Sequence, residues 1–220
     1  MTAIRVLIVD DEQLVRSGLG LIIGSAPDLE MVGSCSGAEA EQQVLRLRPH
    51  VVLLDVRMPD LDGISVLRRL RALADPPAVS MLTTFDTDEY IGTALRAGAA
   101  GFLLKDTAPE QLVHAVRVLA AGGSMLSPAV TQTVIDGYVD GGGPNAASLA
   151  LVRSLTGREL DVLALLGEGL ANAEIAERLF LGTGTVKDHI SAILGKLGVA
   201  NRVQAAVIAH RAGLVQAPEQ

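Results

Sequence analysis

Short apolar runs alternate with longer amphipathic stretches through about the first 120 residues. IRVLIV precedes Asp10, VVLLD ends at Asp55, AVSML precedes Thr83 and GFLL precedes Lys105. Each is short, rich in branched apolar residues and continuous rather than alternating, the pattern of a parallel strand buried on both faces. Between them, apolar spacing of three and four predicts helices near 12–25, 37–47, 63–72, 86–97 and 108–121. Alternation at this interval predicts right-handed βαβ crossovers and an α/β domain with a doubly wound, five-stranded parallel sheet. Asp86-x-x-Glu89 and Thr107-x-x-Glu110 have capping-box form, Pro109 suits a first turn, and Gly98 and Gly122 mark helix ends.

The rhythm breaks after residue 121. Ser127-Pro128 can start one more helix, and DGYVDGGGPNAAS (136–148) then joins a glycine triplet, a proline and small polar residues, as a linker does. From about 149 the pattern is purely helical, with helices expected near 158–168, 172–180, 184–197 and 201–212. Thr156-x-x-Glu159 caps the first. The expected organisation is an α/β domain over 1–121, a linker over 122–148, a small all-α four-helix domain with helix-turn-helix spacing over 149–215 and a tail over 216–220.

Charge divides at the same place. Residues 1–148 carry 11 basic against 18 acidic side chains, whereas 149–215 carry 7 against 6. The acidic half is a poor partner for nucleic acid, and the second half is a candidate only if its cations share a face. Two Tyr, three Phe and no Trp argue against stacking on single strands. No apolar run approaches the roughly 20 residues needed to cross a bilayer. MTAIRVLIVDDE turns acidic too early for a signal peptide, and the lone Cys35 fits a reducing compartment, so the cytoplasm and no membrane partner are expected.

The strand ends carry the chemistry. Asp10, Asp11, Asp55, Thr83 and Lys105 each stand where an apolar run stops, and the carboxyl ends of parallel strands share one sheet edge. Carboxylates with one hydroxyl and one ammonium suit a divalent cation and a phosphoryl group. Asp55 is the candidate acceptor, Asp10 and Asp11 the candidate holders of Mg²⁺, Lys105 a neutraliser of phosphate charge and Thr83 a hydrogen-bond donor to it. Any one of them alone is an ordinary solvated strand end.

VLIVDDE, LLDVRMPDLDG, LTTFD and ALRAGAAGFLLKD resemble the signature segments of receiver domains in two-component response regulators. The resemblance implies a flavodoxin-like receiver that takes a phosphoryl group from a sensor histidine kinase onto Asp55. It implies Mg²⁺ ligation by Asp11, Asp55 and the backbone carbonyl of Arg57, with Asp10 acting through water, and a loop shaped by Pro59 and Gly63. It also implies a switch in which Thr83 moves toward Asp55 and the Phe102 ring turns inward; taken alone, Phe102 is an ordinary core residue. One departure is Asp106, where many receivers have proline.

Gly33-Ser34-Cys35-Ser36-Gly37 has the form of a nucleophile elbow with cysteine, which keeps a hydrolase open as an alternative. His50 and His114 are available as bases, but neither lies in a recognisable motif. An aspartyl phosphatase normally has a second aspartate two residues after the first, and here that position is Arg57.

In the second half, LTGRELDVLALLGEGLANAEIA and TGTVKDHISAILGKLGVANRVQAA resemble the LuxR-type DNA-binding domain of NarL-like response regulators. Helical spacing turns Val186, Ile190, Ile193, Leu194 and Leu197 inward and Gly184, Lys187, Asp188, Ser191 and Gly195 outward. By the resemblance Thr185, Val186, Lys187 and Ser191 meet double-stranded DNA, with Lys187 reaching a base edge and Val186 nearby for apolar contact. Lys196 and Arg202 hold phosphates. Asp188 opposes this beside Lys187, and Gly182 replaces a common serine cap at small cost. The combined expectation is a transcription regulator, not an enzyme, restrained until phosphorylation favours a homodimer on paired half-sites. A receiver lying over the 184–197 helix is one form such restraint takes.

Overall fold

The computed structural model describes residues 3–59, 61–84, 88–126 and 150–215. The 127–128 helix start, the 136–148 linker and the Asp86 cap fall outside them. Six strands, β1 (Ile4–Val9), β2 (Leu29–Cys35), β3 (Val51–Asp55), β4 (Ala78–Thr83), β5 (Gly101–Leu104) and β6 (Met125–Leu126), form one all-parallel sheet in the order β2-β1-β3-β4-β5-β6. Five were expected. The two-residue β6 follows Gly122 and Gly123 and is too short to carry a periodic signal.

Alternate side chains of each strand feed opposite faces of the sheet, as the pleat requires. Leu7, Val9, Val52, Leu54 and Met81 pack under α2 (Ala40–Leu47), α3 (Gly63–Arg71) and α4 (Asp88–Arg96). Val6, Ile8, Val51, Leu53 and Leu82 pack under α1 (Gln13–Gly24) and α5 (Pro109–Ala120). With no polar face to present, these strands read as continuous apolar runs. The chain reverses direction across the sheet between β1 and β3, so Asp10 and Asp55 flank the switch point where open α/β sheets place ligands.

Caps differ in part from expectation. Asp62 caps α3 through Ile64 and Ser65 N–H. The Thr107 box does not form: the N-cap of α5 is Ala108, and Pro109 takes the first turn. Gly98 (φ +99°) and Gly122 (φ +79°) do end their helices in the left-handed region.

The second unit comprises α6 (Gly157–Gly167), α7 (Asn172–Leu179), α8 (Thr183–Leu197) and α9 (Arg202–Arg211). Val162, Leu163, Leu166, Ile175, Val186, Ile193 and Leu197 close its own core. The Thr156 capping box is complete: its hydroxyl accepts from Glu159 N–H, and the Glu159 carboxylate accepts from Thr156 N–H at 2.7 Å.

The two units touch. Val203 of α9 packs on the α2–α4 side of the receiver core. The buried Asn201 amide donates to Leu95 O (2.5 Å) and Ala99 O (3.1 Å) at the end of α4, while its own oxygen caps α9 through Gln204 N–H (2.9 Å). Arg202 donates across the junction to Gly122 O.

Candidate functional site

Strand geometry brings the acidic residues together. Asp10 follows β1 with its N–H bonded to Cys35 O (3.1 Å), and Asp55 ends β3. Both are buried, Asp10 at 0% and Asp55 at 4% exposure, whereas Asp11 is exposed at the rim. One oxygen from each of Asp10, Asp11 and Asp55 lies within 4.8 Å of the other two. Lys105, carried by the turn after β5, sits 2.8 Å from Asp10 Oδ2 and 3.1 Å from Asp55 Oδ2, with Glu12 at 3.8 Å. Its backbone N–H bonds Thr83 O (2.8 Å), which ties the end of β5 to the end of β4. Asp106 does not prevent this, and no described peptide bond is cis.

The electrostatics follow from burial opposed by pairing. Burial raises the pKa of Asp55; the Lys105 ammonium pulls it down, the Asp10 charge pushes it up, and the net shift is upward. Burial works against the charge of Lys105, yet its bonds to Asp10 and Asp55 outweigh that and hold it above its ordinary value. At contacts of this length each attraction is on the order of 4 kcal/mol at an effective dielectric of about 20, which sustains one ammonium between two carboxylates. Asp10 Oδ2 accepts no hydrogen bond in good geometry despite the nearby ammonium, and so has coordination capacity to spare. Three carboxylates and spare oxygen lone pairs fit a hard divalent cation, which takes oxygen ligands and keeps water and phosphate in its remaining positions.

The loop after the acceptor depends on Gly63. Its N–H bonds Val56 O (3.1 Å), and a Cβ there would stand 2.1 Å from Asp55 O and 3.0 Å from Val56 Cα. Only glycine allows so close a backbone approach. Arg57 carries its guanidinium 5.5 Å from the centre of the half-exposed Tyr90 ring on α4, a cation–π contact. Thr83 is 8% exposed. Phe102 is 1% exposed and already turned into the core.

Cys35 does not have the character of a nucleophile. It ends β2 in a buried position, and burial together with nearby Glu39 pushes its thiol up to about 11, against a weaker pull from Arg16. At neutral pH it stays a thiol.

On α8, Thr185, Lys187, Asp188 and Ser191 are exposed and Val186, Ile190, Ile193 and Leu197 are buried. Val186, at 0% exposure, has no surface to give a base, which corrects the expected apolar contact. Its position one residue before Lys187 turns it through a helical step into the core. The two expected phosphate holders are engaged within the protein. Lys196 donates to both Glu159 oxygens (2.7 and 2.8 Å), and Arg202 donates to Asn172 Oδ1 (3.0 Å), Leu170 O and Gly122 O. Sequence shows that these cations exist, not which internal acceptors claim them. The contacts of Asn201 were not anticipated either; an asparagine just before a helix signals a cap and leaves the second half of its amide unassigned. Lys187, Ser191 and Leu194 line a cleft of about 890 Å³ whose opposite wall is the receiver, from Arg48 to Gly98.

Residues 6–117 match the family described as response regulator receiver domain, and residues 153–209 match bacterial regulatory proteins, luxR family. The transcriptional regulatory protein LiaR of Bacillus subtilis is 40% identical over 214 residues, covering 96% of this chain and 99% of LiaR. The DNA-binding transcriptional activator DevR/DosR of Mycobacterium tuberculosis is 39% identical over 210 residues, covering 94% of each. Among solved structures, the response regulator ChrA of a heme-sensing two-component system shares 35% identity over 97% of this chain and all of ChrA, with a TM-score of 0.52. A receiver site at the switch point, a helix-turn-helix unit behind it and relatives that match along nearly their whole length lead to one conclusion: the chain belongs to the response regulators that join a receiver domain to a LuxR-type DNA-binding domain.

Proposed function

We propose that the protein is a cytoplasmic DNA-binding transcription regulator whose receiver, over 1–121, is switched by phosphoryl transfer from a sensor histidine kinase to Asp55. The observation that carries this reading is the buried Asp55 carboxylate, 3.1 Å from Lys105 and within 4.8 Å of Asp10 and Asp11. Mg²⁺, held by Asp10, Asp11, Asp55 and the Arg57 carbonyl, would neutralise the acceptor and the incoming phosphoryl oxygens. Asp55 supplies the attacking oxygen. Lys105, already held beside Asp55, shifts from the carboxylate to pair with the new phosphate, and Thr83 donates to a phosphate oxygen.

The output is the α8 face. Thr185, Lys187 and Ser191 read the major groove, while Lys196 and Arg202 reach phosphates only after leaving their present partners. α8 lines a cleft against the receiver, and that placement supports a restrained form before phosphorylation. Phosphorylation loosens the junction at Asn201 and Val203, frees α8 and favours a homodimer on paired half-sites.

Asp55→Asn tests the reading. With a small phosphodonor and Mg²⁺, the natural protein should gain an acyl phosphate, dimerise and bind promoter DNA more tightly. The variant should do none of these; unchanged dimerisation and DNA affinity in the variant would refute the switch.

A further inference from the structure

The described lining of the interdomain cleft holds more positive than negative side chains. Among the described residues, four cations line the cleft from both walls, Arg48 and Arg71 on the receiver and Lys187 and Arg202 on the DNA-binding unit, against one acid, Asp75. Arg48, Arg71 and Lys187 have no side-chain hydrogen bond or ion pair among the described residues, and the bonds of Arg202 all end on neutral oxygens. Arg71 is half-buried, with its Nε 2.9 Å from where a Cβ on Gly98 would stand, and burial draws its pKa below the ordinary value. Uncompensated guanidinium in a partly dry site is costly, and like charges on facing walls oppose the closure that Asn201 and Val203 hold in place. A bridging anion removes both costs.

We infer that this cleft binds a small oligophosphate, free or as part of a nucleotide, across the two domains. At about 890 Å³ it falls in the range of small-ligand sites, which favour domain interfaces. It is far too small for duplex DNA. The planar fork of Arg matches phosphate oxygens in pairs, and two arginines on one wall facing a lysine on the other, with the charge of the internally bonded Arg202 behind it, suit a chain of phosphates better than a single one. His50 adds a neutral donor: its Nδ1 accepts from Arg5 N–H (3.0 Å), which leaves the proton on Nε2. Among the described residues no Phe, Tyr or Trp is on the lining, so phosphate rather than a stacked base supplies the recognition. Such a ligand occupies Lys187 and pins α8 to the receiver, which makes DNA release depend on a metabolite as well as on Asp55. This last consequence rests on the proposed DNA-reading role of α8; the binding site itself does not.

Calorimetric titration of the full chain with inorganic tripolyphosphate, in EDTA so that the acidic site does not contribute, tests the proposal. Binding should weaken at least about tenfold in Arg71→Gln and in the exposed Arg48→Gln, the loss of one charge-assisted contact. Arg178→Gln, an exposed cation away from the cleft, should leave it unchanged, and circular dichroism confirms that each variant is folded. ATP binding more tightly than tripolyphosphate assigns the site to a nucleotide; equal binding assigns it to the phosphate chain alone. No binding to the natural protein, equal weakening in Arg178→Gln, or tighter binding of an oligoglutamate peptide overturns the proposal. If Arg71→Gln abolishes tripolyphosphate binding while promoter affinity ignores phosphorylation, the cleft stands and the switch falls.

Discussion

At the sheet edge, Lys105 stands 2.8 and 3.1 Å from two carboxylates in a nearly dry pocket, while on α8 Lys187 stands exposed beside Asp188 with no partner among the described residues. The receiver holds its charges in place before any ligand arrives. The DNA-binding unit does the opposite with two of its cations, giving Lys196 to Glu159 and Arg202 to carbonyls at the junction. Preorganisation suits chemistry that must occur at one atom; withheld charge suits a reader that must stay silent until released. The difference teaches that one chain can hold some cations ready at a pocket and engage others internally on a second unit.

The comparison breaks most easily at the acceptor loop. Gly63→Ala places a Cβ 2.1 Å from Asp55 O, so the loop must move. Urea denaturation should show a loss of about 3 kcal/mol, and phosphodonor labelling of Asp55 should fall with it. A variant as stable and as readily labelled as the natural protein would show that the site is not held rigidly.

The junction comes next. Asn201→Asp keeps the oxygen that caps α9 and removes the donor to Leu95 O and Ala99 O. Two lost hydrogen bonds are together worth about 1–2 kcal/mol, so unphosphorylated promoter affinity should rise about tenfold in an electrophoretic shift assay. Unchanged affinity would mean that this contact does not restrain the reader.

A smaller effect sharpens the α8 side. Gly182 is the N-cap of α8 and makes no side-chain cap bond, so Gly182→Ser should stabilise the DNA-binding unit by a few tenths of a kcal/mol, about a degree in melting temperature.

The last effect is a pH dependence confined to acid. The Lys196 ammonium and the Thr156 N–H pull the Glu159 carboxyl from 4.5 to about 2 despite its burial. A depressed folded-state pKa contributes stability above 4.5 that is lost as pH falls toward 2. Thermal melts should decline through that window, and Glu159→Gln should flatten the decline.

How much of this was legible in the sequence depended on the range of the interactions. Buried strands announce themselves through IRVLIV and VVLLD because both faces are apolar, and strand ends follow from them, which is why Asp10, Asp55 and Lys105 could be placed together. The Thr156 box was readable because it is local, although the Thr107 box shows that the same pattern fails where Pro109 starts the helix one residue later. Short or distant features stayed hidden. β6 is two residues long, and the partners of Arg202 lie 80, 32 and 30 residues away in the chain.

Asn201 has a kinetic consequence. One amide serves two masters: its oxygen anchors the first turn of α9, so its nitrogen is aimed before the domains meet. For this side chain docking onto the end of α4 therefore freezes no additional rotamer, and its release leaves two helix-terminal carbonyls that water readily satisfies. A latch with so little entropy to surrender in either direction should open and close quickly, leaving the lifetime of the signal to the acyl phosphate rather than to the hinge.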